Sequence, residues 1–106
     1  MKRNKIKILD CTLRDGGYYN HWDFDKLIVD RYLKSLKAAS IDIVELGFRL
    51  LPSNSFLGPF AYTTDEFIDQ LNLPEGPIYG VMINAKELLN NKKDTKELIN
   101  TLFNHK

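Results

Sequence analysis

A parallel α/β fold of order βαβαβα is predicted by three features of the sequence. Short β-branched apolar runs recur near residues 6, 43 and 78, an amphipathic stretch with helical spacing separates the first two, and each run gives way to polar residues at its carboxyl end. Two strands joined through a helix must run parallel, and a parallel sheet needs helices over its faces.

Lys5-Ile6-Lys7-Ile8-Leu9-Asp10 alternates and carries two isoleucines, which predicts a first strand over Ile6 to Leu9. Thr12 to Asp23 holds the Gly16-Gly17 pair and no helical apolar stripe, and is expected to be a loop. Asp23 or Asp25 then caps a helix reaching about Ala39, with Leu27, Ile28, Tyr32, Leu36 and Ala39 as its apolar face. The second strand is read over Ile41 to Phe48, with Ile43 to Phe48 expected to pair in the sheet. Val44, Leu46 and Phe48 are assigned to the helix layer, and Ile43, Glu45, Gly47 and Arg49 to the opposite face, so Glu45 and Arg49 are expected to rise into whatever opens at the carboxyl end. Leu50 to Tyr62 reads as a long loop whose Phe56, Phe60 and Tyr62 either form a lid or pack beneath it. Thr63 and Glu66 have capping-box spacing ahead of Phe67, Ile68 and Leu71. Pro74 to Pro77 is a turn, and Ile78 to Ile83 is the third strand. Asn84 with Glu87, and Asp94 with Glu97, mark helix starts, the last helix being striped by Leu98, Ile99, Leu102 and Phe103.

The 106 residues, 43% hydrophobic and 27% charged, amount to one ordinary domain. A net charge of +1 leaves no footprint for a polyanion, so nucleic acid is not an expected partner. No apolar run has the length of a membrane span and the start has no signal-peptide core, which points to the cytoplasm and away from a membrane. The single cysteine, Cys11, excludes an internal disulfide framework.

In parallel α/β proteins the carboxyl ends of the strands share one rim, where polar residues collect. Asp10, Glu45 and Asn84 fall there, and Asp10-Cys11-Thr12-Leu13-Arg14-Asp15-Gly16-Gly17 adds an Arg-Asp pair before two small residues. Arg14 is a fixed cation suited to a carboxylate or a developing enolate oxygen, and Asp15 supplies oxygen ligands suited to Mg2+ or Mn2+. The same residues also read as an exposed loop pair, a structurally paired acid at Glu45 and a helix cap at Asn84.

The run Asp10 to Gly16, with Glu45 on the next strand, closely resembles the opening of the DRE-TIM metallolyases, the superfamily of 4-hydroxy-2-oxovalerate aldolase, hydroxymethylglutaryl-CoA lyase, and isopropylmalate and homocitrate synthases. Asp10 to Phe24 and Gly58 to Thr64 resemble an aldolase-like subgroup. The resemblance implies the first three βα units of a TIM (β/α)8 barrel, with residues 1–106 as a partial domain. It also implies a divalent-metal-dependent lyase that cleaves or forms a C–C bond next to a 2-oxo acid through an enolate. Asp15 would bind Mn2+ or Mg2+, Arg14 would stabilise the enolate and bind substrate, and Glu45 would support Arg14. Tyr18 and Asn84 are the remaining substrate-binding candidates. The chain departs from its relatives at Tyr18, where the aldolases resemble Arg-Asp-Gly-Met-His and the synthases usually have glutamine. Tyr18, Tyr19 or His21 could replace the base, although a phenol with a pKa near 10 is a poor one at neutral pH.

A complete barrel needs at least about 200 residues. The superfamily's His-x-His pair on a later strand has no counterpart in His21 and His105, so the isolated chain is expected to be inactive. Two alternatives stand beside the enzyme: a non-catalytic module that self-associates into a homo-oligomer through exposed sheet edges, and a small open-sheet binding domain, for which no Gly-x-Gly-x-x-Gly or P-loop run is present.

Overall fold

The computed structural model describes residues 6–89 together with 96, 97, 99 and 100. Its element order is β1 (Leu9–Asp10), α1 (Thr12–Gly16), a 3-10 turn (Gly17–Tyr19), α2 (Lys26–Ala38), β2 (Ile43–Phe48), α3 (Pro59–Tyr62), α4 (Asp65–Asp69), β3 (Ile78–Met82) and α5 (Ala85–Leu89). The three strands form one parallel sheet in the order β1-β2-β3, as the sequence predicts. The first strand is shorter than expected. The Asp42 carboxylate takes the Ile8 N–H at 2.8 Å, where a ladder carbonyl would otherwise sit, and pairing begins at Leu9 opposite Ile43.

Helix α2 starts where Asp25 accepts the Leu27 N–H. It ends in a Schellman motif, with Ser40 at φ 60° and hydrogen bonds from Ile41 N to Leu36 O and from Ser40 N to Lys37 O. Its buried face is Val29, Leu33 and Leu36, while Leu27 and Ile28 are exposed. The stripe is thus rotated from the expected one, because the i, i+4, i+7 set that includes Val29 is what meets the sheet. Val44, Leu46 and Phe48 complete this core with Leu13, Trp22, Phe60 and Ala61.

Two segments expected to be loops contain helical turns. Thr12 to Tyr19 forms α1 and the 3-10 turn because the Asp10 side chain supplies the start: it accepts Thr12 N at 3.0 Å and Thr12 Oγ1 at 3.1 Å. The Tyr32 hydroxyl on α2 also donates to Asp10. The segment after β2 contains α3, whose start is set by Pro59 at its first position. The cap of α4 is Thr64, one residue later than expected, because Thr63 closes α3 in the left-handed region at φ 36°, whereas Thr64 has the extended backbone of an N-cap and accepts the Phe67 N–H.

Arg49 is a second correction. A bulge between Glu45 and Gly47 breaks the alternation of β2. Arg49 is consequently buried, at 5% exposure, and binds the Thr63 carbonyl through Nε at 2.9 Å and the Asp65 carboxylate through Nη2. It clamps the loop after β2 and does not rise beside Glu45. At α5, Asn84 Oδ1 accepts Lys86 N at 3.1 Å, in keeping with the predicted start. The expectations for Lys5, Asp94, Leu98, Leu102, Phe103 and His105 lie outside the described residues. No helix among the described residues is long and apolar enough to cross a membrane.

Candidate active site

The register of the sheet places the site. β1 pairs only as far as Asp10 opposite Val44, so the chain leaves the sheet one residue short of Glu45 and turns at once into α1. That turn carries Arg14 over β2. Arg14 Nε donates to Glu45 Oε2 at 2.8 Å, with the side chains 21% and 15% exposed. The hydrogen bond that Arg14 donates to Glu45 raises the Arg14 pKa above its ordinary value, against a smaller opposing effect of burial. Committing Nε leaves the two terminal nitrogens as donors for an anion, a planar fork suited to a carboxylate or enolate oxygen. Asp15 lies on the same turn, its side chain 70% exposed and 3.9 Å from Arg14 Nη1, too far for a hydrogen bond.

Asp10 stands at the strand end as expected, but its carboxylate is taken up by Thr12 and Tyr32. Burial, and then the bond to Asp10, push the Tyr32 phenol above its ordinary pKa. Tyr18 is 61% exposed and meets Trp22 and Phe48 edge to face, at centroid distances of 4.9 and 6.1 Å. Tyr19 is exposed, as is His21, which sits at φ 58° and accepts the Gly58 N–H on its carbonyl at 2.7 Å. Asn84 is exposed and spends its side-chain oxygen on the start of α5. Of the possible lid aromatics, Phe56 is exposed, whereas Phe60 is core, packed edge to face on Phe24 and Phe67, and Tyr62 packs against that core.

Trp22 is not among the candidates named from the sequence. The signal was present in the glycine pair five residues earlier, since a Cβ at Gly17 would overlap the indole ring. Its N–H donates to the Arg14 carbonyl at 2.8 Å.

Asp15 was the expected ligand for a divalent metal. Such ions need several oxygen donors, and no group of three or more His, Cys, Asp or Glu able to hold one occurs among the described residues. These residues therefore do not by themselves fit a metal centre.

A parallel α/β unit with a carboxylate-held arginine at the carboxyl end of its strands is the class of structure these features define. Among solved structures, the chain is similar to the N-terminal domain of a putative aldolase from Bacteroides vulgatus, with 40% sequence identity and a TM-score of 0.79. The match covers 92% of this chain and 31% of that one, so the chain spans about a third of its length. No family model matches the sequence, and no curated protein does.

Proposed function

We propose that the chain is the amino-terminal part of a cytoplasmic TIM-barrel lyase of the DRE-TIM type that cleaves or forms a C–C bond beside a 2-oxo acid. The observation that carries this reading is the Arg14–Glu45 pair at 2.8 Å on the rim, and the likeness to an aldolase N-terminal domain supports it. Bond cleavage leaves negative charge on the oxygen of the enolate. The terminal nitrogens of Arg14 would stabilise that charge without changing protonation state, and Glu45 would hold the guanidinium so that little reorganisation is needed. Tyr18 and Asn84 would contact the substrate. Mn2+ or Mg2+ is the proposed cofactor of the longer enzyme, to which this chain would contribute Asp15 as one donor.

The test is manganese-dependent pyruvate release from 4-hydroxy-2-oxo acids, assayed with the 106-residue chain and with a longer protein that carries it. Turnover is expected from the longer protein alone, and chelation with EDTA should abolish it. No turnover with any 2-oxo acid would sink the assignment, and activity in the isolated chain would show that the site is misplaced.

A second reading, a self-associating module, is favoured by the sheet edges. Both β1 and β3 are edge strands, and Ile8, Leu9 and Ile78 on or beside them are 50%, 47% and 67% exposed. Light scattering decides it: a concentration-independent monomer would remove it.

A further inference from the structure

Trp22 is the single tryptophan of the chain and is 7% exposed. It touches every segment that frames Arg14. Its indole N–H donates to the Arg14 carbonyl at 2.8 Å, and its ring covers Gly17, where any Cβ would collide with it. On the other side the ring meets Phe48 of β2 edge to face, at a centroid distance of 5.6 Å. The Trp22 main chain is equally committed. Its N–H is shared between Gly17 O at 3.0 Å and Asn20 Oδ1 at 3.1 Å, and its carbonyl accepts Phe60 N at 3.3 Å. These bonds hold Trp22 at φ 58°, a strained conformation for a bulky aromatic residue, directly after His21 at the same angle.

We infer that Trp22 is a positioning residue for Arg14. The indole ties the carboxyl end of α1 to β2, and the guanidinium is thereby held over Glu45, which stands on the same strand as Phe48. The role rests on Arg14 being the anion-binding group of the proposed lyase. If Trp22 were only core filling, its ring would matter and its N–H would not.

That difference sets the experiment, which needs no turnover. In the 106-residue chain the Arg14 Nε–H is identified by 15N NMR as the signal lost in Arg14→Lys, and its solvent exchange is measured at neutral pH. Trp22→Phe keeps a ring against Phe48 and removes the donor. Because there is one tryptophan, the chain can also be made with benzothienylalanine, in which sulfur replaces the N–H at nearly constant shape. Each should speed exchange of Arg14 Nε–H about tenfold, the effect of losing one hydrogen bond. Leu36→Ala, a core change on α2, supplies the control for general loosening and should leave that rate near wild type once global stability is accounted for.

Unchanged exchange in the sulfur analogue would overturn the role, as would an equal change in Leu36→Ala. If Trp22→Phe fails to fold, the analogue decides alone. Absence of turnover in the longer protein would remove the lyase reading and leave these rates as measured. Unchanged rates beside intact turnover would remove Trp22 alone.

Discussion

Replacing Glu45 with alanine deprives Arg14 of the carboxylate 2.8 Å from its Nε. The size of the effect follows from burial. Exposed ion pairs contribute about 0–1 kcal/mol, and removing one partner of a fully buried pair costs about 3–5 kcal/mol. With side chains 21% and 15% exposed, this pair lies between the limits, since both groups are largely covered yet can still recover some water. We expect Glu45→Ala to destabilise the chain by about 2 kcal/mol, about 30-fold in the folding equilibrium. Glu45→Gln keeps an acceptor at nearly the same place, and because a charged acceptor is about twice as strong as a neutral one it should cost about 1 kcal/mol. Urea unfolding at neutral pH and one fixed protein concentration measures both. A double-mutant cycle with Arg14→Met isolates the pair from the rest of each side chain. A loss within about 0.5 kcal/mol of zero for Glu45→Ala, the range of an ordinary surface change, would refute the argument.

Two further outcomes are expected. Gly47→Ala should cost about 3 kcal/mol or prevent folding, because its Cβ would overlap the Phe60 carbonyl and stand 2.9 Å from Thr63 Oγ1 in a buried site; a urea midpoint near wild type would contradict this packing. Tyr32, whose pKa is raised by burial and by Asp10, keeps its proton in the folded chain at a pH where the unfolded chain has lost it. Its stabilising contribution is therefore complete below its ordinary pKa of about 10 and declines as pH rises beyond that, by at most about 1.4 kcal/mol per unit. Urea midpoints from pH 9 to 11.5 should fall more steeply for wild type than for Tyr32→Phe, and parallel curves would show that Tyr32 does not carry the effect.

What could be read in advance was the part governed by local pattern. Ile43 to Phe48, a third strand from Ile78 that ends at Met82, one residue before the expected Ile83, and the Asp25 cap follow from alternation and spacing, whereas the pairing of Arg14 with Glu45 was implied by the family resemblance. What escaped was set by partners distant in the chain. Gly16-Gly17 suggested a loop, but a side chain before the turn and an indole after it make the segment helical. Arg49 followed the period of two until a bulge redirected it to Thr63 and Asp65. Thr63 could not cap α4 because it ends α3 in the left-handed region, which no spacing rule records. The metal ligation implied by resemblance is not assembled by Asp15 with any described neighbours.

The left-handed pair His21 and Trp22 turns two successive carbonyls toward the segment after β2, where Gly58 N and Phe60 N meet them at 2.7 and 3.3 Å. This seam between the two rim segments is made of main chain on both sides. Homologous sequences can therefore vary in side chain along it while keeping His21 next to Trp22 and the spacing from 58 to 60, since an insertion within either short stretch shifts the register of the bonds whereas a substitution need disturb neither. Residue 58 is the exception, because any Cβ there would strike the Trp22 carbonyl and the Asp23 backbone. Natural diversity at this rim should then appear as changes of composition at constant length within those two stretches, with glycine retained at that one point.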